Sequence, residues 1–370
     1  MYGDKLGAGP LAGTFDAWLT IDSVIAALQN EGDPIPTGFA PLDRQFRRGG
    51  ITPGRILVVG GQPFSGKTTL VADIALHMAQ KVPVFALFSD EGRSQAAIRM
   101  GVMLGASLKD IEHQPLATSK TVAELVGERS FWLGKPDTEE ANAAAVVAYA
   151  RTKVPAGQTA LIVLDSVQTI PAGQTEGEAN DSPRIAVKRF MSSVRAWASD
   201  TKFIFLLTSQ SNRASYRHRR GEENSLAMAS FAESNAIEFL SDIAIVLGTP
   251  DESEVLPVEF VKNRLKGTKK NFHVRYDEGT GRLLEVDAPA VEDAKAQAKK
   301  AQHEKVMSGL QDEIAVVCKK RGRLTTRQVC EFTGGRTANV IAALKALEAQ
   351  GVFDAAPGPR GSLLWGPVKR

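Results

Sequence analysis

From Gly38 to about Asp287 the chain alternates short, almost wholly apolar runs with longer segments whose apolar residues recur every three or four positions. The runs RILVVGG, VPVFALFS, TALIVLDSV, TKFIFLLTSQ and IAIVLGT have the length and β-branched content of buried strands. KTTLVADIALHMAQ, RSQAAIRMGVML, PRIAVKRFMSSVRAWASD and ASFAESNAIEFLSD read as helices between them. Strands apolar on both faces, separated by helices, predict an α/β fold with a mainly parallel sheet covered on both sides. PVEFVKNR and NFHVRYDE alternate apolar and polar positions and are joined by LKGTKK, which predicts a hairpin.

The pattern changes at both ends. Residues 14–30 carry Phe15, Trp18, Leu19, Val24, Ile25 and Leu28 at helical spacing, and EGDPIPTG then interrupts it. Residues 288–321 are rich in Ala, Lys, Glu and Gln, as in a solvated helix or linker. After them come a short helix, a Gly-Gly turn, a longer helix and two extended pieces around APGPRG, the order of a winged helix. The expected organisation is an N-terminal helical segment over residues 1–36, an α/β domain over 37–287, a helical linker over 288–321 and a winged-helix domain over 322–370.

Of the 370 residues, 43% are hydrophobic and 24% charged, ordinary values for a chain that buries a full core. The net charge of +3 is too small to argue nucleic-acid binding in bulk, so only local clusters bear on it. Cys318 and Cys330 form no CxxC pair and read as two small buried thiols in a reducing compartment. MYGDKLGAGPLAG has no basic patch followed by an apolar core, and no apolar run approaches the ~20 residues of a membrane span. A cytoplasmic protein is expected.

The chemistry concentrates in VVGGQPFSGKTTLV. Gly61, Gly66, Lys67 and Thr68 satisfy G-x-x-x-x-G-K-[ST], with a strand before and a helix after. A polyphosphate wrapped by backbone N–H groups needs glycine wherever a Cβ would collide, and the helix aims its positive end at the same anion. Gly61, Gln62, Pro63, Ser65, Gly66, Lys67, Thr68 and Thr69 are therefore candidate ATP-binding residues. Lys67 reaches the β- and γ-phosphates, and Thr68 ligates Mg²⁺. Asp165 ends the apolar run LIVLD, where a carboxylate can hold that Mg²⁺ through water. ALFSDEG sets Asp90 and Glu91 at the end of the strand after the phosphate-loop helix, at the edge where open parallel sheets bind ligands. Glu91 is the first candidate for the base that orients water, with Asp90 its rival. Gln210, ending IFLLTSQ, is a candidate γ-phosphate neighbour.

Together these segments resemble the RecA-like ATPases, especially the core of DnaB-type replicative helicases and the RadA proteins, over roughly residues 37–286. PTGFAPLDRQF before the phosphate loop is similar to the DnaB-type opening, and FSDE to the segment holding that family's catalytic glutamate, which maps to Glu91. LIVLDSVQTI is closer to RadA, whereas TSQSNR and FAESNAIEFLSDIAIVL are DnaB-like. VKNRLKG resembles the lysine–x–arginine segment by which one subunit reaches its neighbour's nucleotide. The resemblance implies that Lys262 and Arg264 act in trans, in a homo-oligomer expected to be a hexameric ring. Residues 14–30 would then be either a helix exchanged with the neighbour or one packed on its own domain. The sequence departs from the family in having neither the large N-terminal helical domain of DnaB nor the zinc cysteines and protease-like domain of RadA.

In such a ring SNRASYRHRRGEENS would line the channel. Arg213, Arg217, His218, Arg219 and Arg220 neutralise backbone phosphate there and Tyr216 stacks on a base. Lys266, Lys269 and Lys270 add charge, and PAGQTEGEANDSPR is a second, more acidic candidate loop. In the tail, Arg336, Thr337 and Asn339 open a recognition helix, with Arg327 and Arg360 beside it, for duplex DNA or for a protein. The expected function is an ATP-driven helicase on single-stranded DNA in replication, with a plasmid, phage or other mobile element as a fitting setting. A RadA- or RecA-like recombination ATPase and an ATP-switched DNA-binding regulator are the alternatives.

Overall fold

The computed structural model describes residues 31–113, 130–135, 141–173, 182–210, 235–250, 253–265 and 267–368. The expected helix over 14–30, the basic loop with Arg213, Tyr216, Arg217, His218, Arg219 and Arg220, most of the second candidate loop, and Lys266 lie outside the described residues. Two compact units divide the chain, Met1–Asp287 and Ala288–Arg370.

In the first unit the strands are β1 (Ile56–Gly61), β2 (Val84–Phe88), β3 (Phe131–Leu133), β4 (Leu161–Asp165), β5 (Ile204–Gln210), β6 (Ile243–Leu247), β7 (Val255–Asn263), β8 (Phe272–Asp277) and β9 (Arg282–Val286). They form one sheet in the order β3-β2-β4-β5-β1-β6-β7-β8-β9. From β3 to β6 the neighbours are parallel, and β7, β8 and β9 continue antiparallel. The helices are α1 (Ala40–Asp43), α2 (Lys67–Met78), α3 (Gly92–Met103), α4 (Leu108–His113), α5 (Ala143–Lys153), α6 (Pro183–Thr201) and α7 (Asn235–Leu240).

Strand alternation sorts the core into two layers. Leu57 and Val59 of β1, with Leu206 and Ile245, pack under Leu70 and Ile74 of α2 and Met100 of α3. Ile56 and Val58, with Phe205 and Leu207, face Val147 of α5 and Phe190 and Val194 of α6. Both faces of every central strand are thus buried, which is why these strands read as continuous apolar runs. The hydrophobic pattern does not mark β3, β9 or α5. β3 is three half-buried residues at the sheet edge, and α5 is alanine-rich with few large side chains.

The segment before β1 is closed by Asp43. Its carboxylate accepts from Thr37 N (2.9 Å), Thr37 Oγ1 (2.7 Å) and Gly38 N (3.0 Å), which accounts for the paired TG and LD dipeptides. Burial pushes the Asp43 carboxyl up, and these hydrogen bonds pull it back. Gly38 has φ +77°, and a Cβ there would lie 1.9 Å from the His77 ring.

The second unit runs α8 (Ala288–Arg321), β10 (Leu324–Thr325), α9 (Thr326–Thr333), α10 (Thr337–Ala349), β11 (Phe353–Pro357) and β12 (Leu363–Pro367), with sheet order β10-β12-β11. The stretch expected as a linker is one long helix whose C-terminal half joins this core through Ile314 and Cys318. Thr325 and Gln328 form a capping box that starts α9. Cys318 is buried as expected, but Cys330 is only half-buried, so one of the two thiols departs from that reading. Among the described residues no helix is long and apolar enough to cross a membrane.

The amino edge of the central strands is pinned by Asp242, 2% exposed. It accepts from Ile56 N and from Arg195 Nη2, both at 2.9 Å, with Arg55 at 3.7 Å. Asp242→Ala would strand these donors, and a loss of about 3 kcal/mol in chemical denaturation of the full chain is expected.

Candidate nucleotide site

β1 and α2 are joined by the loop Gln62–Gly66, at the carboxyl ends of the parallel strands. Gly61 has φ +153°, and a Cβ there would lie 2.5 Å from Ser65 Oγ and 2.8 Å from Leu247 O. Gly66 caps α2 in the left-handed region, φ +84°, with no side chain bonded to the helix N-terminus. The first amides of α2 therefore remain open to an anion. Ser65 Oγ is buried and has no hydrogen-bond partner, an orphaned donor inside the cradle. Lys67 is 8% exposed and its Nζ donates to Gln62 O at 2.7 Å. Burial lowers its pKa, opposed by the negative charges of Asp165 and Asp90.

Asp165 closes β4 beside this loop, 3% exposed. Its carboxylate accepts from Thr68 Oγ1 at 2.7 Å and from Thr208 Oγ1. Burial raises the Asp165 pKa, and the two hydroxyls hold it back. Its carbonyl accepts from Ser89 N (2.7 Å) and Ser89 Oγ (2.8 Å), so the ends of β2 and β4 are tied together. Thr68 and Asp165 thus share one point from two elements. Among the described residues no cluster of three or more His, Cys, Asp or Glu is placed for a metal. A carboxylate and a hydroxyl beside a phosphate cradle instead fit Mg²⁺, which is commonly held by one or two protein oxygens together with substrate phosphates.

The two rival acids point to different partners. Asp90 accepts from Gln210 Nε2 at 3.3 Å and acts electrostatically on Lys67 and Asp165. Glu91 is clamped by Arg99 of α3, whose Nε (3.2 Å) and Nη2 (2.5 Å) donate to its two oxygens. Arg99 Nη1 also donates to Thr69 Oγ1 at 3.0 Å, so the Thr69 hydroxyl is engaged by Arg99. Gln210 is fixed from behind by Gln168. Gln168 Oε1 accepts from Gln210 N (3.1 Å), and its Nε2 donates to Ser209 Oγ (2.9 Å) and Gln210 O (3.2 Å). Arg99, Thr208 and Gln168 were missed in the sequence. Only Thr208, a hydroxyl within an otherwise apolar run, carries a local signal.

Lys262 and Arg264 lie at the other edge of the sheet. Lys262 pairs with Ala244 and Asn263 with Ile243, at the amino end of β6, whereas Gly61 pairs with Leu247 at its carboxyl end. At about 3.3 Å per residue, Arg264 is roughly 15 Å along the sheet from its own phosphate loop. Lys262 Nζ donates to the carbonyls of Glu238 and Phe239. Burial and the adjacent Arg264 push its pKa down to about 8.

Residues 34–282 match the DnaB-like helicase C terminal domain family. Over 239 residues the chain is 24% identical to the Replicative DNA helicase DnaB of Leifsonia xyli subsp. xyli, covering 62% of this chain and 50% of that protein. It is 31% identical over 153 residues to Protein RecA of Geobacter metallireducens, 40% of this chain and 37% of that one. The chain thus spans half or less of the length of these two curated relatives. A solved ATPase domain superposes with a TM-score of 0.60 at 17% identity, over 72% of this chain and 99% of the other. A DnaB-like replicative helicase, described with its interactions with primase, gives 0.59 at 16%, over 72% and 68%. At these identities the two structures speak to the fold alone, a RecA-like α/β sheet.

Gly61→Ala drives a methyl against Ser65 and the β6 carbonyl, closing the cradle. Titration with a fluorescent ATP analogue should show affinity reduced by about tenfold or more, while circular dichroism stays that of the parent.

Proposed function

The chain belongs to the DnaB-like helicase C terminal domain family, and from that premise we propose that it is an ATP-hydrolysing, ring-forming DNA motor. The observation that carries this reading is the joining of Lys67, Thr68 and Asp165 around an open glycine cradle. The α2 amides and Lys67 grip the triphosphate. Mg²⁺, when held by Thr68 and Asp165, supplies charge neutralisation between the phosphates. Glu91 orients the attacking water once it turns from Arg99, and Gln210 faces the γ-phosphate. The position of Lys262 and Arg264 at the far sheet edge supports their action on the next protomer's nucleotide. That arrangement requires a head-to-tail contact, and a ring of six is our reading of how it closes.

Single-stranded DNA is the proposed track, gripped by Arg213, Tyr216, Arg217, Arg219 and Arg220. The C-terminal unit supports a winged-helix reading, since it runs helix, strand, helix, helix and two strands. Arg336 and Thr337 are exposed at the start of α10 and are offered to duplex DNA or a protein, while Arg327 is paired with Glu331. A cytoplasmic setting is part of this reading. A second reading, a recombination ATPase, is favoured by the match to RecA. Displacement on forked against three-stranded DNA separates the two.

The test is the ATPase rate with and without single-stranded DNA. Stimulation is expected, and indifference to DNA would end the motor reading. Lys67→Ala is expected to abolish turnover, and Glu91→Gln to bind MgATP yet hydrolyse it about 10²–10⁴-fold more slowly.

A pH profile tests Lys262. Its pKa lies below the ordinary lysine value, so the cation is present below about 8 and is lost as pH rises through that value. A neighbouring triphosphate holds the proton more tightly and can only move the midpoint upward. Hydrolysis is expected to fall above pH ~8, and Lys262→Arg, which stays charged, should flatten that limb.

A further inference from the structure

A second concentration of positive charge lies at the amino edge of the sheet. A cavity of about 480 Å³ opens there, lined by Arg47, Arg48, Arg55, Arg264, Thr52 and Glu31 among others. Arg55 is neutralised by Glu31, with Asp242 at 3.7 Å, and Arg48 is 3.3 Å from the exposed Asp33. Among the described residues, Arg47 and Arg264 have no carboxylate within ion-pair distance. Two unpaired guanidiniums therefore border one concave surface.

Both side chains are exposed, and the backbone that carries each is held in place. Gly49 N donates to Phe46 O at 3.0 Å, closing a turn with Arg47 and Arg48 at its centre, and Phe46 is buried beneath it. The Ile35–Ile51 bridge fastens the following residues, and a Cβ at Gly50 would come within 2.6 Å of the Ile35 carbonyl. This turn is then tied to the β7 end. Asn263 Nδ2, one residue before Arg264, donates to Gln45 O at 3.0 Å, two residues before Arg47. Gln45 Oε1 in turn accepts from Thr268 Oγ1 and from Lys270 N (3.2 Å). Gly267 is forced by this contact, because a Cβ there would sit 1.6 Å from Gln45 O. Arg47 and Arg264 are thus two prongs on one bracket.

We propose that this cavity receives the triphosphate bound by the neighbouring copy, with Arg47 a second phosphate-contacting arginine in trans beside Arg264. The proposal rests on the ring reading above. Guanidinium forks suit phosphate oxygens, and two of them spread over one γ-phosphate stabilise the charge that develops there. The cavity lies at the opposite sheet edge from its own loop, so a head-to-tail contact is what brings the two together.

The experiment uses the full chain and MgATP. Arg47→Ala is expected to lower kcat by about a hundredfold with nucleotide affinity nearly kept. Arg47→Lys, which keeps the charge but not the fork, should recover part of it. Mixing Arg47→Ala with Lys67→Ala protomers should restore turnover above the sum of the two, because Arg47→Ala loops then meet intact arginine faces. Arg264→Ala mixed with Lys67→Ala is the control. If that mixture recovers and the Arg47 mixture does not, Arg47 is not a trans contact, although the in-trans reading stands. If neither recovers, the in-trans reading itself falls. Unchanged kcat in Arg47→Ala overturns the proposal. So does loss of the assembled particle mass in both Arg47 variants, which would make Arg47 a ring contact only. Weakened single-strand binding without rescue in the mixture would instead give the cavity to the phosphates of DNA and also overturn it.

Discussion

The larger unit depends on leaving backbone amides bare at the end of β1, a geometry suited to a polyanion. That demand sets a space limit before it sets a charge. Gly61 is squeezed between the Ser65 hydroxyl and the Leu247 carbonyl of the adjacent strand, and Gly66 turns the chain through the left-handed region into α2. Strand β1 must lie between β5 and β6, buried on both faces, for the loop to be held so closely. Burial then shifts the charged groups toward neutrality, lowering the Lys67 pKa and raising that of Asp165. On the proposed reading a magnesium nucleotide would add negative charge beside Lys67 and positive charge beside Asp165, favouring the charged form of each.

What could be seen along the chain and what could not divides by sequence separation. The central strands were legible because burial on both faces leaves no alternation to confuse them. The glycine loop after β1 and the carboxylate that ends β4 stood out because a fixed local spacing of residue types beside an apolar run marks each of them. Thr208 reaches Asp165 across 43 positions, and Asn263 reaches Gln45 across 218. No local pattern marks such pairs. The clamp of Arg99 on Glu91 is closer in sequence, yet an arginine on a helix reads as an ordinary solvated charge until its partner is seen. β3 escaped because three residues at an edge carry too little apolar content to stand out.

The sheet also separates two roles by distance. Its carboxyl edge gathers Lys67, Thr68, Asp165, Asp90 and Gln210, while its amino edge carries Asp242, Lys262, Arg264 and the Arg47 turn. The same strands connect the edges, so the glycine loop and Arg264 sit at a fixed offset, the offset on which the proposed action in trans depends. Asp242 matters here for position more than for charge, because it fastens the start of β1 to α6 and to the start of β6.

The grip of the Gln168 amide on the Gln210 backbone has a mechanical meaning. Strands β4 and β5 are parallel neighbours; Gln168 lies in the turn after the first and Gln210 ends the second. Because the Gln168 side chain holds the Gln210 backbone at both N and O, the turn after β4 cannot shift without dragging the end of β5. A tug on Gln210, whose side chain meets Asp90, is therefore shared between two strands, as a yoke shares a load.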